Sequence, residues 1–437
     1  MACSFTSLNE PNIVQATDQV SLQNAINSAG SAVTQIDITS NITLSSSIDI
    51  PVGSRIIING VNATTNITSG VPNSFQLIAI HSSATANTIF HLKNIQLSLG
   101  GGNINGGGIG SNEEGFVEVV VEDGSTISSC VAPNGGGIFV RNGAVGVYNS
   151  TVTICSVSID GGGIYAPCVE LRTAEVSRSV SGGNGGGVYT TDYTQSNSIL
   201  NENNAGNNGG GLYLNGSGII SGTADSQSFV YDNLSGANGA GIYLSNQADM
   251  SDTFLIQGNV TVGHNDAAHD GGGVWVDHSQ LARLSTTNGV IFTLNTAQAS
   301  VTYRQPSDDA VYYANIHSTV WTSPFTQGYN NFDIAYDQPD IPPEPEDCRT
   351  LAERLIDIAL PVSVRPFATV GNVVSRCCGP ATIVPGFQIF PPDDPENCDF
   401  TIHQRVCVQV PVEFGATVEV GNVHSECTGE SCDGCDE

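Results

Sequence analysis

The chain has 437 residues, with 42 acidic against 12 basic side chains, and its formal net charge is therefore −30. This charge excludes nucleic acid and anionic membrane surfaces as partners, because both would repel the chain. No apolar run reaches the roughly 18 residues of a membrane helix, so we expect no membrane insertion. The 50 glycines do not recur at every third position, which excludes a collagen, and 39% hydrophobic residues can fill a core.

The N-terminus and the cysteine content indicate different compartments. Residues 1–5 show neither the basic nor the apolar segment of a secretory signal peptide. Twelve cysteines, however, are typical of disulfides and an oxidising environment. A reduced cytosolic protein with buried thiols is one alternative. A protein that is made in a mother-cell cytosol, released by lysis and then oxidised satisfies both observations. We therefore expect an extracellular or spore-surface location without a signal peptide.

Residues 1–32 are interpreted as an N-terminal arm that ends in a short capping helix. The helix is predicted over 21–29, with Ser21 as its N-cap. Short β-type runs rich in isoleucine follow, and in three of the four a polar residue separates the aliphatic ones. These runs are 36–38, 42–44, 48–50 and 56–58.

A glycine motif then recurs seven times. Each copy has Asn or Asp, then Gly-Gly-Gly or Gly-Ala-Gly, then Ile, Val or Leu, and six copies continue with an aromatic residue. The copies are 24 to 32 residues apart, which indicates one solenoid turn per motif. The triplets begin at Gly106, Gly135, Gly161, Gly185, Gly209, Gly239 and Gly271.

The physical properties of this motif favour strands over helices. Each glycine in a helix would cost about 1 kcal/mol, whereas a β-solenoid uses glycine for positive φ at a corner and for close approach of coils. The preceding amides can stack into hydrogen-bonded ladders. We predict that the residue after each triplet points inward and that the aromatic residue points outward. The aromatic residues are Phe139, Tyr165, Tyr189, Tyr213, Tyr243 and Trp275.

This pattern resembles the right-handed parallel β-helix of pectate-lyase-like proteins. The Gly-Gly-Gly-Ile repeats are also similar to those of bacterial polymorphic outer-membrane proteins. The resemblance implies an all-β chain with a right-handed parallel β-helix, a solenoid, over residues 33–336. A Pro-rich acidic linker at 337–347 then leads to a small disulfide-containing β module at 348–437. Because this architecture hosts lyases, hydrolases, adhesins and passive stalks, it does not by itself determine a function.

Evidence for catalysis in the solenoid is weak. The stretch 274–278 resembles the Trp-Ile-Asp-His segment of pectate lyases, but its first two residues already occupy repeat positions. In the segment 304–309, an aspartate stands where that family has its second arginine. Asp308 and Asp309 are adjacent, so in a strand they would face opposite sides and could not form a facing carboxylate pair. We assign no catalytic residue, and Asp277, Asp308 and Asp309 remain weak candidates.

An acidic stretch near the last repeats could bind a ligand. Asp266, Asp270 and Asp277, together with His269 and His278, lie close in sequence and could line one groove or bind calcium. A solvated acidic surface is the simpler interpretation. We therefore predict no metal and no cofactor, while the three aspartates remain weak calcium candidates and glycans remain an alternative partner.

The last 90 residues contain a duplication. Two segments align at an offset of 50 residues, with 12 identities in 35 positions. Each copy is predicted to contain two strands, for example 406–410 and 416–420. Strands this short need a partner, which could be the other copy, a disulfide or another chain. Disulfides Cys348–Cys377 and Cys398–Cys427 within the copies are expected, and exchange between copies stays open.

Parts of this module resemble a module of spore-associated proteins from spore-forming Firmicutes. The similar segments are 361–367 with 377–379, and 406–416. Members of that group are largely structural, so the resemblance implies location and assembly. Thiols near both chain ends suit intermolecular disulfides. The residues expected in disulfides or cross-links are Cys3, Cys348, Cys377, Cys378, Cys398, Cys407, Cys427, Cys432 and Cys435.

The sequence therefore predicts a structural surface or appendage protein. It would assemble with itself or with other surface proteins through intermolecular disulfides or β contacts of its terminal regions. One alternative is a carbohydrate-binding or polysaccharide-degrading β-helix enzyme. Another is a tail-spike-like adhesin, against which the cysteine-rich C-terminus argues.

Overall fold

The computed structural model describes residues 3–249, 251–297, 316–320 and 332–337, with only the backbone at 278–279 and 336–337. Between residues 357 and 426 it describes the backbone of eight strands. The chain divides into two compact units, Met1–Ile341 and Pro342–Glu437, which are described separately.

The first unit consists almost entirely of short strands. Before the glycine repeats these are β1 Asn12–Ala16, β2 Val33–Ile38, β3 Ile42–Leu44, β4 Ile48–Ile50, β5 Arg55–Gly60, β6 Asn66–Ser69, β7 Ile78–Ile80, β8 Thr88–Lys93 and β9 Gln96–Ser98. The next are β10 Ile109–Ser111, β11 Val117–Glu122, β12 Thr126–Ser128, β13 Val131–Ala132, β14 Ile138–Val140, β15 Gly143–Tyr148, β16 Thr151–Thr153, β17 Ser156–Val157, β18 Ile164–Arg172, β19 Glu175–Ser177, β20 Val180–Ser181, β21 Val188–Ser196, β22 Ile199–Asn201 and β23 Asn204–Ala205. The last are β24 Leu212–Leu214, β25 Gly218–Gly222, β26 Ser228–Tyr231, β27 Leu234–Ser235, β28 Ile242–Leu244, β29 Phe254–Gly258, β30 Val260–Gly263, β31 Asp266–Ala267, β32 Val274–Asp277, β33 Leu284–Thr286, β34 Ile291–Thr293, β35 Thr296–Ala297 and β36 Ile334–Asp337.

These strands stack into three parallel sheets of 19, 10 and 7 strands. One coil contributes to all three, as β18, β19 and β20 show, and the next coil repeats the sequence with β21, β22 and β23. Successive coils lie in register, so that Ile164 pairs with Val188 and Val176 with Leu200. This arrangement confirms the predicted parallel β-helix. The early runs at 36–38, 42–44, 48–50 and 56–58 are all strands of it.

The core is a set of stacked aliphatic columns inside the coils. The residue after each glycine triplet points inward, as predicted, and is fully buried in every copy. This column contains Ile109, Ile138, Ile164, Val188, Leu212, Ile242 and Val274.

Each glycine of the repeat satisfies a different steric requirement. The first has a φ between +55° and +79° in all copies, which is the predicted corner. A Cβ on the second would meet the next coil, for instance at 2.1 Å from the carbonyl oxygen of Gly186 if Gly162 carried one. A Cβ on the third would meet both the next coil and an inward side chain, as between Gly187 and the carbonyl oxygen of Gly211 or Leu200 Cδ1, each at 2.8 Å. The triplet therefore follows from the close approach of coils.

The N-terminal end differs from the prediction in two respects. The helix α1 runs from Gln19 to Ala29, and its N-cap is Asp18 rather than Ser21. Ser21 donates its N–H to Asp18 Oδ1 at 2.8 Å and accepts the N–H of Asp18 at 3.1 Å, which forms a capping box. Strand β1, which precedes the helix, already pairs with β2. The solenoid therefore begins at residue 12 and not at residue 33, and α1 covers its end with the buried side chains Leu22 and Ile26.

The second unit is built from antiparallel strand pairs. Its strands are β37 Asp357–Ala359, β38 Val362–Val370, β39 Val374–Cys377, β40 Thr382–Pro385, β41 Phe400–His403, β42 Val406–Gln409, β43 Val412–Val420 and β44 His424–Glu426. The pairs are β37–β44, β38–β43, β39–β42 and β40–β41. Of the partners that the sequence left open, the structure selects the other copy. The second predicted strand of the later copy is longer than expected, since it begins at Val412 rather than at 416.

Candidate functional site: the covered outer face of the solenoid

The three predicted calcium candidates do not line one groove. Asp266 lies on β31 in the 7-stranded sheet and accepts a hydrogen bond from Thr296 Oγ1 at 2.7 Å. Asp277 ends β32 in the 19-stranded sheet. Asp270 lies between these strands, and its N–H donates to Asn238 Oδ1 at 3.1 Å. Across the described ranges, no group of three or more His, Cys, Asp or Glu side chains is arranged to hold a metal ion. The calcium hypothesis therefore gains no support.

Most other predicted site residues cannot be placed. Asp308 and Asp309 lie outside the described residues. The backbone of Cys377 and Cys407 is described in β39 and β42, but not their side chains. The remaining cysteines of the C-terminal module also lie outside the described residues, namely Cys348, Cys378, Cys398, Cys427, Cys432 and Cys435.

The stretch that resembles a lyase segment has structural contacts in this fold. Val274 is fully buried in the aliphatic column that follows the glycine triplets. Trp275 stacks on Tyr243 with ring centroids 4.5 Å apart. Both positions are those that the repeat itself assigns, so the resemblance at 274–278 needs no catalytic explanation.

Cys3 is paired within the chain. A disulfide joins it to Cys168 on β18, with a Cα–Cα distance of 5.8 Å and a sequence separation of 165. Cys3 therefore forms a disulfide, as expected, but its partner lies in the same chain, which corrects the expectation that Cys3 links different molecules. The bond fixes the N-terminal arm, residues 3–9, to the outer face of the 19-stranded sheet.

The arm covers this face through specific contacts. The Phe5 ring packs edge-on against Tyr148, with centroids 5.8 Å apart. The N–H of Thr6 donates to Glu118 Oε1 at 2.7 Å. Glu118 and the nearby Glu170 are only 2% and 4% exposed, although both project from the outside of the solenoid. The arm thus contacts Glu118 directly and packs on Tyr148, whose hydroxyl is bonded to Glu170.

The first of these carboxylates belongs to a cluster around His91. His91 Nδ1 lies 3.0 Å from Glu122 Oε1, and its Nε2 lies 3.9 Å from Glu118 Oε1. Lys93 Nζ lies 3.6 Å from Glu122. Burial lowers the pKa of the His91 imidazole, but the carboxylates of Glu118 and Glu122 outweigh it and hold the pKa above its ordinary value. Burial also raises the pKa of Glu122, but His91 and Lys93 lower it by more.

The second carboxylate is compensated in a similar way. Glu170 forms an ion pair with Arg172 and accepts a hydrogen bond from the Tyr148 hydroxyl at 3.3 Å. The Arg172 guanidinium also lies 5.4 Å from the centroid of the Tyr148 ring, a cation–π geometry. Burial, and next the negative charge of Glu170, raise the pKa of the Tyr148 hydroxyl. Glu118 and Glu170 therefore each have a charged partner, His91 and Arg172 respectively.

A second outward feature is a column of stacked aromatic rings. Its five successive centroid distances are 5.0, 4.7, 4.7, 5.1 and 4.5 Å. The rings lie on the outside of the coils, as predicted, but each covers the face of the next. A sugar ring stacks on an aromatic face, but the faces inside the column are covered and the end rings, Phe139 and Trp275, are each only 6% exposed. The column contains Phe139, Tyr165, Tyr189, Tyr213, Tyr243 and Trp275.

Two ladders of polar side chains follow the coils. The outer ladder uses the amides before the glycine triplets, as predicted, for example Asn238 N–H to Asn208 Oδ1 at 3.1 Å. The inner ladder is fully enclosed and was not predicted, although Asn203, Asn233 and Asn265 each stand five residues before the residue that precedes a glycine triplet. Its members are Asn203, Asn233, Asn265 and Asn295, and Asp333 ends it by accepting from Asn295 Nδ2 at 2.9 Å. Cys130 and Cys155 occupy the equivalent position in earlier coils as buried free thiols.

Comparisons with known proteins give no match to a family model, to a curated protein or to a solved structure. Over the part of the chain that the structure describes, no helix is both long and apolar enough to cross a membrane.

Proposed function

We propose that this protein is a structural component of an exterior surface or appendage, such as the surface of a spore. The observation that carries the proposal is the arm that Cys3–Cys168 fastens over the outer face of the solenoid. The chain would serve as a durable building unit that joins copies of itself or other surface proteins through its terminal regions.

The disulfide supports an exterior location. Such bonds persist where the environment is oxidising and are rare where thiol reductants are abundant. The bond closes a loop of 165 residues, and a loop of this length restricts the unfolded chain strongly. A protein exposed to dilution, heat or drying would benefit from this gain in stability.

The contacts of the reactive groups also support a structural role. Glu118 and Glu170 are buried and are engaged by His91 and Arg172, so little of either carboxylate is open to a substrate. The faces of the stacked rings are covered by their neighbours. These groups stabilise the solenoid, and a polysaccharide-processing role finds no equivalent arrangement in the described residues.

Electron microscopy of the oxidised protein, together with gels run with and without a thiol reductant, tests this proposal. We expect filaments or surface arrays and a ladder of covalent oligomers that collapses in reductant. Isolated particles and a single monomer band under both conditions would overturn the assembly role. Turnover of any member of a polysaccharide panel, if abolished by Asp277→Asn, would instead establish the enzymatic alternative.

A further inference from the structure

The first strand of the solenoid has an unpaired edge. Strand β1 pairs in parallel with β2, and no other strand among those described pairs with it. The carbonyl of Ala16 accepts the N–H of Thr39, which follows β2. The backbone groups of successive residues point to opposite edges of a strand. Ile13 and Gln15, which alternate with Ala16, therefore direct their N–H and C=O groups away from β2.

The hydrogen-bonding pattern of this open edge is self-complementary. In an antiparallel pair of strands, hydrogen-bonded and non-hydrogen-bonded positions alternate. When two copies of β1 meet about a two-fold axis at Val14, Ile13 of each copy lies opposite Gln15 of the other. Each of these pairs exchanges two N–H···O bonds, while the two Val14 residues occupy the non-hydrogen-bonded position between them. A second copy of β1 thus satisfies every outward N–H and C=O group of Ile13 and Gln15.

The side chains around this edge are apolar and exposed. The exposed fractions of Ile13, Val14 and Val20 are 65%, 41% and 69%. A groove of about 480 Å³ lies between β1 and α1, lined by Val14, Ala25, Ala29 and polar residues without charge. Helix α1 therefore leaves room beside Val14, and a second valine at the axis can occupy this side of the strand.

The distribution of charge favours a second copy as the occupant. Residues 11–36, which include β1 and α1, contain a single charged side chain, Asp18. Its carboxylate already accepts hydrogen bonds from the N–H and the hydroxyl of Ser21. A strongly charged partner would find no complementary charge on this segment. Two copies of a chain that carries −30 repel each other less at a nearly uncharged end than at an acidic surface.

We propose that two molecules of this protein join through β1: the strands Asn12–Ala16 of both copies pair antiparallel about a two-fold axis at Val14. The 19-stranded sheet then continues from one solenoid into the other. Because the same surface is used on both molecules, this contact closes as a dimer. The inference deepens the proposed structural role and rests on it for its purpose. Glu10 and Asp18 flank the paired residues, so like charges should weaken the dimer at low salt.

Light scattering on the full-length chain in a thiol reductant measures this association. In 1 M salt, charges are screened beyond about 3 Å, compared with about 10 Å in 0.1 M salt. We expect the molar mass in 1 M salt to rise with concentration from 45.4 kDa toward twice that value, and to rise less in 0.1 M salt. A mass that stays at that of the monomer in 1 M salt over the whole concentration range would overturn the proposal.

Hydrogen exchange resolved to single amides identifies the strand. In dilute solution the outward N–H groups of Ile13 and Gln15 should exchange fast, and the N–H of Val14, which faces β2, should exchange slowly. At dimer-forming concentrations the protection of Ile13 and Gln15 should increase by about tenfold or more, while that of Val14 changes less. A dimer without this protection would place the contact elsewhere. Protection that does not depend on concentration would mean that the same chain covers the edge. Either result would contradict the inference.

Two substitutions with matched controls test the register. Gln15→Pro removes an outward N–H and none that bonds to β2, so it should stay monomeric, whereas Gln15→Ala should associate like the unmodified chain. Val14→Asp keeps all backbone groups but places two carboxylates opposite each other at the axis, so it should also stay monomeric. Its control, Val14→Asn, adds no charge and should associate more than Val14→Asp. Circular dichroism should show an intact solenoid in all four variants. Undiminished association of Val14→Asp would refute the two-fold register.

These measurements are independent of the proposed function. Because reductant is present throughout, they do not report on the covalent assembly tested above. Filaments that form only on oxidation, from a chain that is monomeric in reductant, would support the proposed function while this inference failed. A dimer through β1 in reductant, without arrays or covalent oligomers on oxidation, would support this inference while the proposed function failed.

Discussion

At the scale of single residues, the inner amide ladder shows why asparagine is needed inside an otherwise aliphatic core. Asn233 accepts from both the N–H and the side-chain amide of Asn203, each at 3.1 Å. Its own Nδ2 donates to the carbonyl of Leu200 at 3.0 Å and to Asn265 Oδ1 at 2.9 Å. One side chain therefore satisfies polar groups in the coils on both sides. Only a group with both a donor and an acceptor can continue this pattern.

Replacing Asn233 with alanine should destabilise the solenoid strongly. The substitution leaves buried donors and acceptors of the neighbouring coils unpaired, and each such group costs about 1–3 kcal/mol. We expect a loss of at least ~2 kcal/mol in the free energy of unfolding, measured in denaturant. Asn207→Ala, at an exposed position one coil earlier, should change it by less than ~0.5 kcal/mol. Equal losses in the two variants would contradict the role given to the ladder.

At the scale of elements, the N-terminal arm acts as a strap whose position depends on one covalent bond. Its described contacts are few, a ring contact of Phe5 and one hydrogen bond of Thr6, in addition to the disulfide. A segment with so few contacts gains much of its order from the cross-link. The face beneath it is formed by β8, β11, β15 and β18, which pair with one another and not with the arm.

Removal of the disulfide should free the arm while the coils stay folded. For Cys3→Ser we expect a loss of about 2–4 kcal/mol in stability under oxidising conditions. The amide of Thr6 should lose its protection from hydrogen exchange, while amides in β18 keep theirs. Cys168→Ser and the unmodified protein in reductant also lack the bond, and both should behave like Cys3→Ser. Continued protection of Thr6 in all three cases would show that the arm does not depend on the bond.

The face beneath the arm should also respond to pH through His91. Its pKa in the folded chain is above the ordinary value, so its contribution to stability is complete below about pH 6.5 and is lost as the pH rises through the folded pKa. The melting temperature should therefore fall between about pH 6 and pH 8, and His91→Gln should reduce this slope. His81→Gln is the control, because His81 is 44% exposed and its contribution is more strongly screened by solvent. Equal slopes in both variants would refute the assignment to His91.

The elements that sequence could predict are those that repeat locally. The glycine triplets, their inward aliphatic neighbours and the outer amides recur at short intervals, and their pattern alone predicts coils and a corner. The arm could not be placed in this way, because Cys3 and Cys168 are 165 residues apart and nothing local indicates that they pair. The sequence also left the pairing partner of β38 undetermined. Several neighbouring strands could provide the backbone hydrogen bonds that a short strand needs. The inner ladder did have a local signal in the sequence, because Asn203, Asn233 and Asn265 recur five residues before the outer ladder. This signal was missed because the glycine triplets are the more regular pattern.

At the scale of the whole molecule, the net charge of −30 has to be considered together with an unpaired sheet edge. Among the described strands, β1 pairs only with β2, so its other edge is available for hydrogen bonds. Ile13 and Val14 on this strand are 65% and 41% exposed. Exposed apolar edge strands invite pairing with other chains. A net negative charge on both molecules opposes such contacts at distances where salt does not screen it.

Added salt should therefore promote association through β1. The Debye length falls from about 10 Å at 0.1 M salt to about 3 Å at 1 M, so repulsion between molecules weakens. We expect the second virial coefficient from static light scattering in reductant to be positive at low salt and to decrease as salt is added. Ile13→Glu should reduce this decrease, because it places a charge on the open edge. Ile159→Glu, at an exposed isoleucine away from that edge, should leave the decrease unchanged. If the second virial coefficient decreased equally in both variants, the repulsion would act between whole surfaces. The edge of β1 would then not be the contact that the net charge suppresses.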